Sequence, residues 1–126
     1  MVIKQLSIFL ENRTGRINEI ARILAENGIN MQAFSMAETA DFGLLRLIVP
    51  EVDKAVEVLR NSDVAVMVTE VIRLSCPNTP GSMSAVLEKL AANNVFIEYM
   101  YAFSEGETAN VIIRPDNLNE AVRVLG

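Results

Sequence analysis

The sequence has 126 residues, 51% of them hydrophobic, and a net charge of −5. That length admits one ordinary domain or two very small ones, and that hydrophobic share is too large for a disordered chain. The acidic balance, with a pI of about 4.7, repels phosphate backbones and leaves nucleic acid out of the expected partners.

Cys76 is the only cysteine and histidine is absent. A disulfide framework and a thiolate metal site are thereby excluded, and the scattered carboxylates show no metal-ligand spacing, so no metal and no cofactor is expected. Cys76 itself reads as a small buried hydrophobe near a strand end. The opening MVIKQLSIFLEN has no long apolar core and no small-residue cleavage site. No run reaches the ~18–20 apolar residues that span a bilayer. The expectation is a cytoplasmic protein with no membrane partner.

Along the chain, Leu6, Ile8 and Leu10 alternate with Gln5, Ser7 and Phe9, the period of a half-buried strand. Ile17, Ile20, Ala21 and Leu24 follow as one stripe of a helix that closes on Gly28. Ile29, Met31 and Ala33 return to period two, the polar Glu38–Asp41 segment turns, and Leu45, Leu47 and Val49 alternate again. Pro50 breaks that strand. Val52, Ala55, Val56 and Leu59 make a second helical stripe, and Val64, Val66 and Val68 a last strand.

Residues 66 further on, as Cys76 is from Leu10, repeat this strand-helix-strand-strand-helix order. The first stripe becomes Met83, Val86, Leu87 and Leu90, and the second Leu118, Ala121, Val122 and Leu125. Such self-similarity marks a duplicated unit. One apolar stripe per helix puts both helices of a unit on one face of an antiparallel sheet. The expected fold class is α+β: two ferredoxin-like βαββαβ repeats, residues 1–69 and 70–126.

Val64 to Ser75 is one β-prone run without Pro or Gly, so the last strand of repeat one should run almost directly into the first of repeat two. Nothing after Leu125 corresponds to Val64–Val68, so repeat two reads as incomplete at its C-terminus. Either another segment fills that edge or the sequence is a truncated form. By parity the uncovered sheet face carries Phe9, Phe34, Met36, Leu44 and Ile48. That is more apolar than a solvated face and implies packing against the other repeat or another subunit.

The most informative echo joins ENRTGRINEIARILAENGIN, Glu11 to Asn30, with PNTPGSMSAVLEKLAANNVF, Pro77 to Phe96. Each places Asn-x-x-Gly between a strand and a helix: Asn12-Arg13-Thr14-Gly15 and Asn78-Thr79-Pro80-Gly81. A helix N-terminus has unpaired N–H groups and a partial positive charge, which suits a carboxylate. Asparagine holds both donor and acceptor, so it can bind the ammonium and the carboxylate of one zwitterion. Gly15 and Gly81 let a ligand approach the backbone, and Pro80 presets φ for the first helical turn. The same letters are also ordinary turn and cap residues. Thr14, Thr79 and Ser82 suit caps, and Arg13 either pairs with a carboxylate or stays solvated at the loop tip.

These motifs, in that element order over nearly the whole chain, resemble a tandem pair of ACT domains, the small ferredoxin-like module that senses amino acids in metabolic enzymes. The phrase Leu24-Ala25-Glu26-Asn27-Gly28-Ile29-Asn30 is similar to the family's helix end and second strand. The first repeat looks especially like the serine-sensing ACT domain of phosphoglycerate dehydrogenase. There the loop asparagine and an asparagine opening the second strand hold the amino acid across an interface, and Asn12 and Asn30 match those positions. Leu10 stands where a histidine is common in that family, and Phe96 replaces the counterpart of Asn30 in repeat two. The resemblance thus implies two unequal sites.

It also implies a non-catalytic sensor and a homodimer that allosterically regulates a metabolic enzyme. The amino acid would be bound through Asn12, Arg13, Thr14, Gly15 and Asn30, and through Asn78, Thr79, Pro80 and Gly81. The alternative is a ligand-independent interaction module or regulatory subunit, favoured by the apolar outer face and the open edge. An enzyme is not expected, because histidine, a cysteine pair and a carboxylate dyad are all missing.

Overall fold

The computed structural model describes residues 1–11, 13–38 and 41–126; Asn12, Thr39 and Ala40 fall outside them. The first elements are β1 (Val2–Glu11), α1 (Arg16–Glu26), β2 (Ala33–Glu38), β3 (Phe42–Ile48) and α2 (Val52–Asn61). Then come β4 (Val66–Pro77), α3 (Ser82–Ala92), β5 (Ile97–Glu105), β6 (Thr108–Pro115) and α4 (Leu118–Leu125). They form two compact units, one of Lys4–Thr69 and one of Met1–Ile3 with Glu70–Gly126.

In the unit of Lys4–Thr69 the strand order is β2-β3-β1-β4. Antiparallel pairing sets Leu6 opposite Leu47 and Ile8 opposite Leu45. Opposed residues share a face, so these four make one apolar side of the sheet. Ile20 and Leu24 of α1 and Ala55 and Leu59 of α2 pack onto it, and all eight residues are fully buried. Each fully buried Leu or Ile contributes about 1.5–3 kcal/mol to holding the helices on that face. Helix α1 ends where Gly28 takes a left-handed φ of 69°, with Ile29 N–H donating to Leu24 O at 2.9 Å.

In the other unit the order is β1-β4-β6-β5, the β1 contribution being its first residues. Ile72, Val111 and Ile113 face Leu90 of α3 and Ala121 of α4, with Met83, Val86, Leu118 and Cys76 partly buried around them. Helix α3 closes as α1 does, with Asn94 at φ 56° in place of a glycine and Val95 N–H on Leu90 O at 2.9 Å. The edge of β4 that lacks a partner in the sequence order is occupied by Met1–Ile3: Arg73 N–H donates to Met1 O at 2.8 Å. The closing strand of one repeat and the opening strand of the next are one 12-residue strand, β4.

The parity reading of the uncovered face needs correction in β2. Phe34 is opposite Leu47 and Met36 opposite Leu45, so both lie on the helix-bearing side; Ala33, Ser35 and Ala37 take the other. The cause is a break in phase. Residues 29–32 are not strand, and β2 begins only at Ala33, so the alternation read through Ile29 and Met31 slips by one residue. Phe34 and Met36 are still 57% and 49% exposed, because β2 is the edge strand of its unit. Ile48, expected on an open face, is 3% exposed.

Candidate functional site

Between β1 and α1 the chain makes a tight turn: Arg13 N–H donates to Glu11 O at 2.8 Å and Arg16 N–H to Arg13 O at 3.3 Å. Gly15 is the N-cap residue of α1, with φ 85° and no side-chain cap. A left-handed φ of that size is what requires glycine here; a Cβ at Gly15 would meet no atom within 4 Å. The first turn carries Glu19, which complements the positive end of the helix.

Two arginines converge on that glutamate. Arg13 Nη1 and Nη2 donate to the two Glu19 oxygens at 3.0 and 3.3 Å, and Arg13 Nε to Glu11 Oε2 at 3.2 Å. Arg16 Nη1 donates to Glu19 Oε2 at 2.8 Å. Hydrogen bonds from Arg13 first, and then from Arg16, hold the Glu19 carboxyl below the usual carboxylate range. The Arg13 guanidinium is raised in turn, mainly by its bonds to Glu19 and then Glu11. Arg13 is half exposed, so its ion pairs add little stability. Arg16 differs. Its side chain is only 14% exposed, and its Nε is buried with no hydrogen-bond partner among the described residues.

Arg13 and Arg16 line a cavity of about 260 Å³ at this turn, together with Glu11 and Glu38. Glu38 has no ion-pair partner among the described residues. The apolar part of the lining is Leu10, Ile17, Met36 and Gly43. Gly43 sits opposite both Leu10 and Glu38 in the sheet. A Cβ there would overlap the Met36 Cε, so the glycine makes room for the methionine. The lining holds two cations and two anions, and among the described residues Glu38 is without an ion pair while Arg16 is bound through Nη1 to Glu19.

Of the residues singled out in the sequence, Arg13 lines the cavity, and Thr14 and Gly15 shape its turn. Asn12 lies outside the described residues. Asn30 is exposed, between α1 and β2, and does not line the cavity. In repeat two, Asn78 N–H donates to Glu107 O at 2.8 Å, and the Thr79 and Ser82 hydroxyls are 2.8 Å apart. Gly81 is the N-cap residue of α3 at φ 88°, again without a side-chain cap. Pro80 therefore precedes the cap and shapes the turn rather than the first helical turn. Arg16, Ile17, Met36, Glu38 and Gly43 were not singled out as ligand groups in the sequence. Gly43, alone inside a strand, is the letter that signals a close approach.

Among the described residues no group of three or more His, Cys, Asp or Glu could hold a metal ion. Among the same residues no helix is long and apolar enough to cross a membrane.

The description "ACT domain pair" matches residues 1–125. The chain belongs to that family. ACT domains are small regulatory modules that generally bind small ligands, typically amino acids. Among solved structures, protein BT0572 from Bacteroides thetaiotaomicron is 51% identical, with a TM-score of 0.95, over 99% of this chain and 87% of that one. The ligand-free regulatory subunit of aspartate kinase from Thermus thermophilus shares the fold. It has 15% identity and a TM-score of 0.70, over 99% of this ACT pair and 95% of that chain. The aspartokinase alpha and beta subunits do likewise at 16% identity and TM-score 0.63, covering 98% and 93%. No curated protein matches the chain.

Proposed function

We propose that this ACT pair is a non-catalytic sensor that binds a free amino acid at its strand–helix turns, chiefly the first, and regulates a metabolic enzyme. The observation that carries the reading is the cavity of about 260 Å³ at the first turn, with Arg16 and Glu38 at hand for the two charges of a zwitterion. Its volume falls just below the ~300–1,000 Å³ of sites for drug-sized ligands, which suits a metabolite. Asn12, between Glu11 and Arg13 in the sequence, is proposed as a further contact; Asn30 would contribute only across an interface. Asn78, Thr79, Pro80 and Gly81 form the corresponding turn of repeat two. A few charge-assisted hydrogen bonds, at roughly 1.5–3 kcal/mol each, support micromolar-to-millimolar affinity after ordering costs.

The fold is that of aspartate kinase regulatory subunits, which supports a regulatory role only at the level of architecture. Exposed Phe9, Phe34 and Phe42 in one unit and Phe96 in the other support a homodimer or a subunit contact with the regulated enzyme. They also favour the second reading, a ligand-independent interaction module. Thermal-shift and calorimetric titration against a panel of amino acids separates the two. The sensor reading expects at least one amino acid to raise the melting temperature at millimolar concentration, and no response from any of them would refute it.

A further inference from the structure

We infer that the first-turn cavity selects a neutral amino acid with a compact aliphatic side chain, its α-carboxylate held by Arg16 and its side chain limited by Met36 seated over Gly43. This rests on the amino-acid-sensor reading above and narrows it.

Charge capacity comes first. Arg13 commits its Nε and both Nη atoms to Glu11 and Glu19 at a half-exposed position, where water meets its remaining N–H groups and the rest of Glu11. Arg16 shares only its Nη1 with Glu19 and keeps a buried Nε–H without a partner among the described residues. Arg16 lines the cavity with its guanidinium bound to Glu19 through Nη1, so a ligand carboxylate on the cavity side can complete its hydrogen bonding. On the anionic side, Glu38 lines the cavity with no ion-pair partner among the described residues. Arg16 and Glu38 in an otherwise largely apolar lining fit the two charges of one zwitterion with an uncharged side chain. A dicarboxylic or dibasic amino acid would leave a charge unbalanced in the site.

The rest of the lining sets the side chain. Leu10, Ile17 and Met36 offer alkyl and thioether surface to the side chain. The Met36 Cε lies against Gly43 where a Cβ would have to displace it, so the thioether covers that part of the cavity. Register assigns the counterparts in repeat two: Cys76 is opposite Ala109 as Leu10 is opposite Gly43, and Ser104 is opposite Ala109 as Glu38 is opposite Gly43. By the same offset Arg13 becomes Thr79, Arg16 becomes Ser82 and Met36 becomes Ala102. Repeat two thus replaces every charged lining group by a neutral one, so this charge-based selection belongs to the first turn.

The test is calorimetry on the full chain with L-valine, L-leucine and L-isoleucine against L-serine, L-aspartate, L-lysine and L-phenylalanine. 3-Methylbutylamine serves as leucine without its carboxylate. The aliphatic amino acids are expected to bind at least about tenfold more tightly than the others, and the amine at least about tenfold more weakly than leucine, the loss of one charge-assisted bond. Arg16→Gln should weaken leucine by a similar factor with the fold intact by circular dichroism. Met36→Ala should shift preference from valine towards phenylalanine. Tighter binding of serine, aspartate, lysine or phenylalanine by the wild type overturns the inference and leaves the sensor reading standing. So does binding of the amine as tight as that of leucine, which needs no variant. Failure of every amino acid refutes the sensor reading itself.

Discussion

The two strand–helix turns share a backbone and differ in chemistry. Gly15 and Gly81 cap α1 and α3 at φ 85° and 88°, and both helices close through the same backbone bond to Leu24 O and Leu90 O. Around the first turn stand Glu11, Arg13, Arg16 and Glu38; at the matching positions of the second stand Pro77, Thr79, Ser82 and Ser104. Duplication explains the common frame. The charge difference shows that the frame alone does not make a site: the same turn serves once as a structural connection and once as the wall of a charged cavity.

The comparison breaks most strongly in the cores. Leu24→Ala and Leu90→Ala each remove a side chain at most 1% exposed and should each cost about 2–5 kcal/mol in chemical denaturation. Only the first should also abolish amino-acid binding. Next come the caps. Gly15→Ala and Gly81→Ala should each cost about 1–2 kcal/mol, because both force a Cβ into a left-handed conformation. Equal losses would show that these glycines serve the backbone, whereas a much larger loss at Gly15 would tie it to the site.

Acid separates the turns more gently. The folded-state pKa of Glu19 is lowered, so its contribution is present above the unfolded carboxylate value and is lost as pH falls through the folded one. At the matching position of α3 stands Ala85, and α3 has no acidic residue in its first turn. Amide exchange at the start of α1 should therefore quicken below the ordinary glutamate range while the start of α3 does not respond. The smallest effect is expected for Asn78→Ala. Its main-chain bond to Glu107 O survives the substitution, so stability should move by no more than about 0.5 kcal/mol and leucine affinity should be unchanged.

The frame was legible because it is written in periodicity. The Ile20 and Leu24 stripe, the Leu6-Ile8-Leu10 alternation and the Val64–Ser75 run through β4 all appear where the letters place them. The site was legible only in part. The sequence marks the turn through Asn12 and Gly15, yet Arg16 reads as one more helix charge; only the fold buries its Nε. Period-two reading puts Met36 on the wrong face because residues 29–32 are irregular and the alternation carries no information across such a gap. Met1–Ile3 could not be assigned to the second unit from local pattern, since it is the fold that brings Met1 to Arg73 from the far end of the sequence.

The most direct test is the stoichiometry of leucine binding by calorimetry on the full chain, repeated with Arg16→Gln and with Ser82→Ala. The predicted result is one leucine per chain, weakened at least about tenfold by Arg16→Gln and unchanged by Ser82→Ala. Two leucines per chain, or a loss of binding that follows Ser82 instead of Arg16, would contradict it.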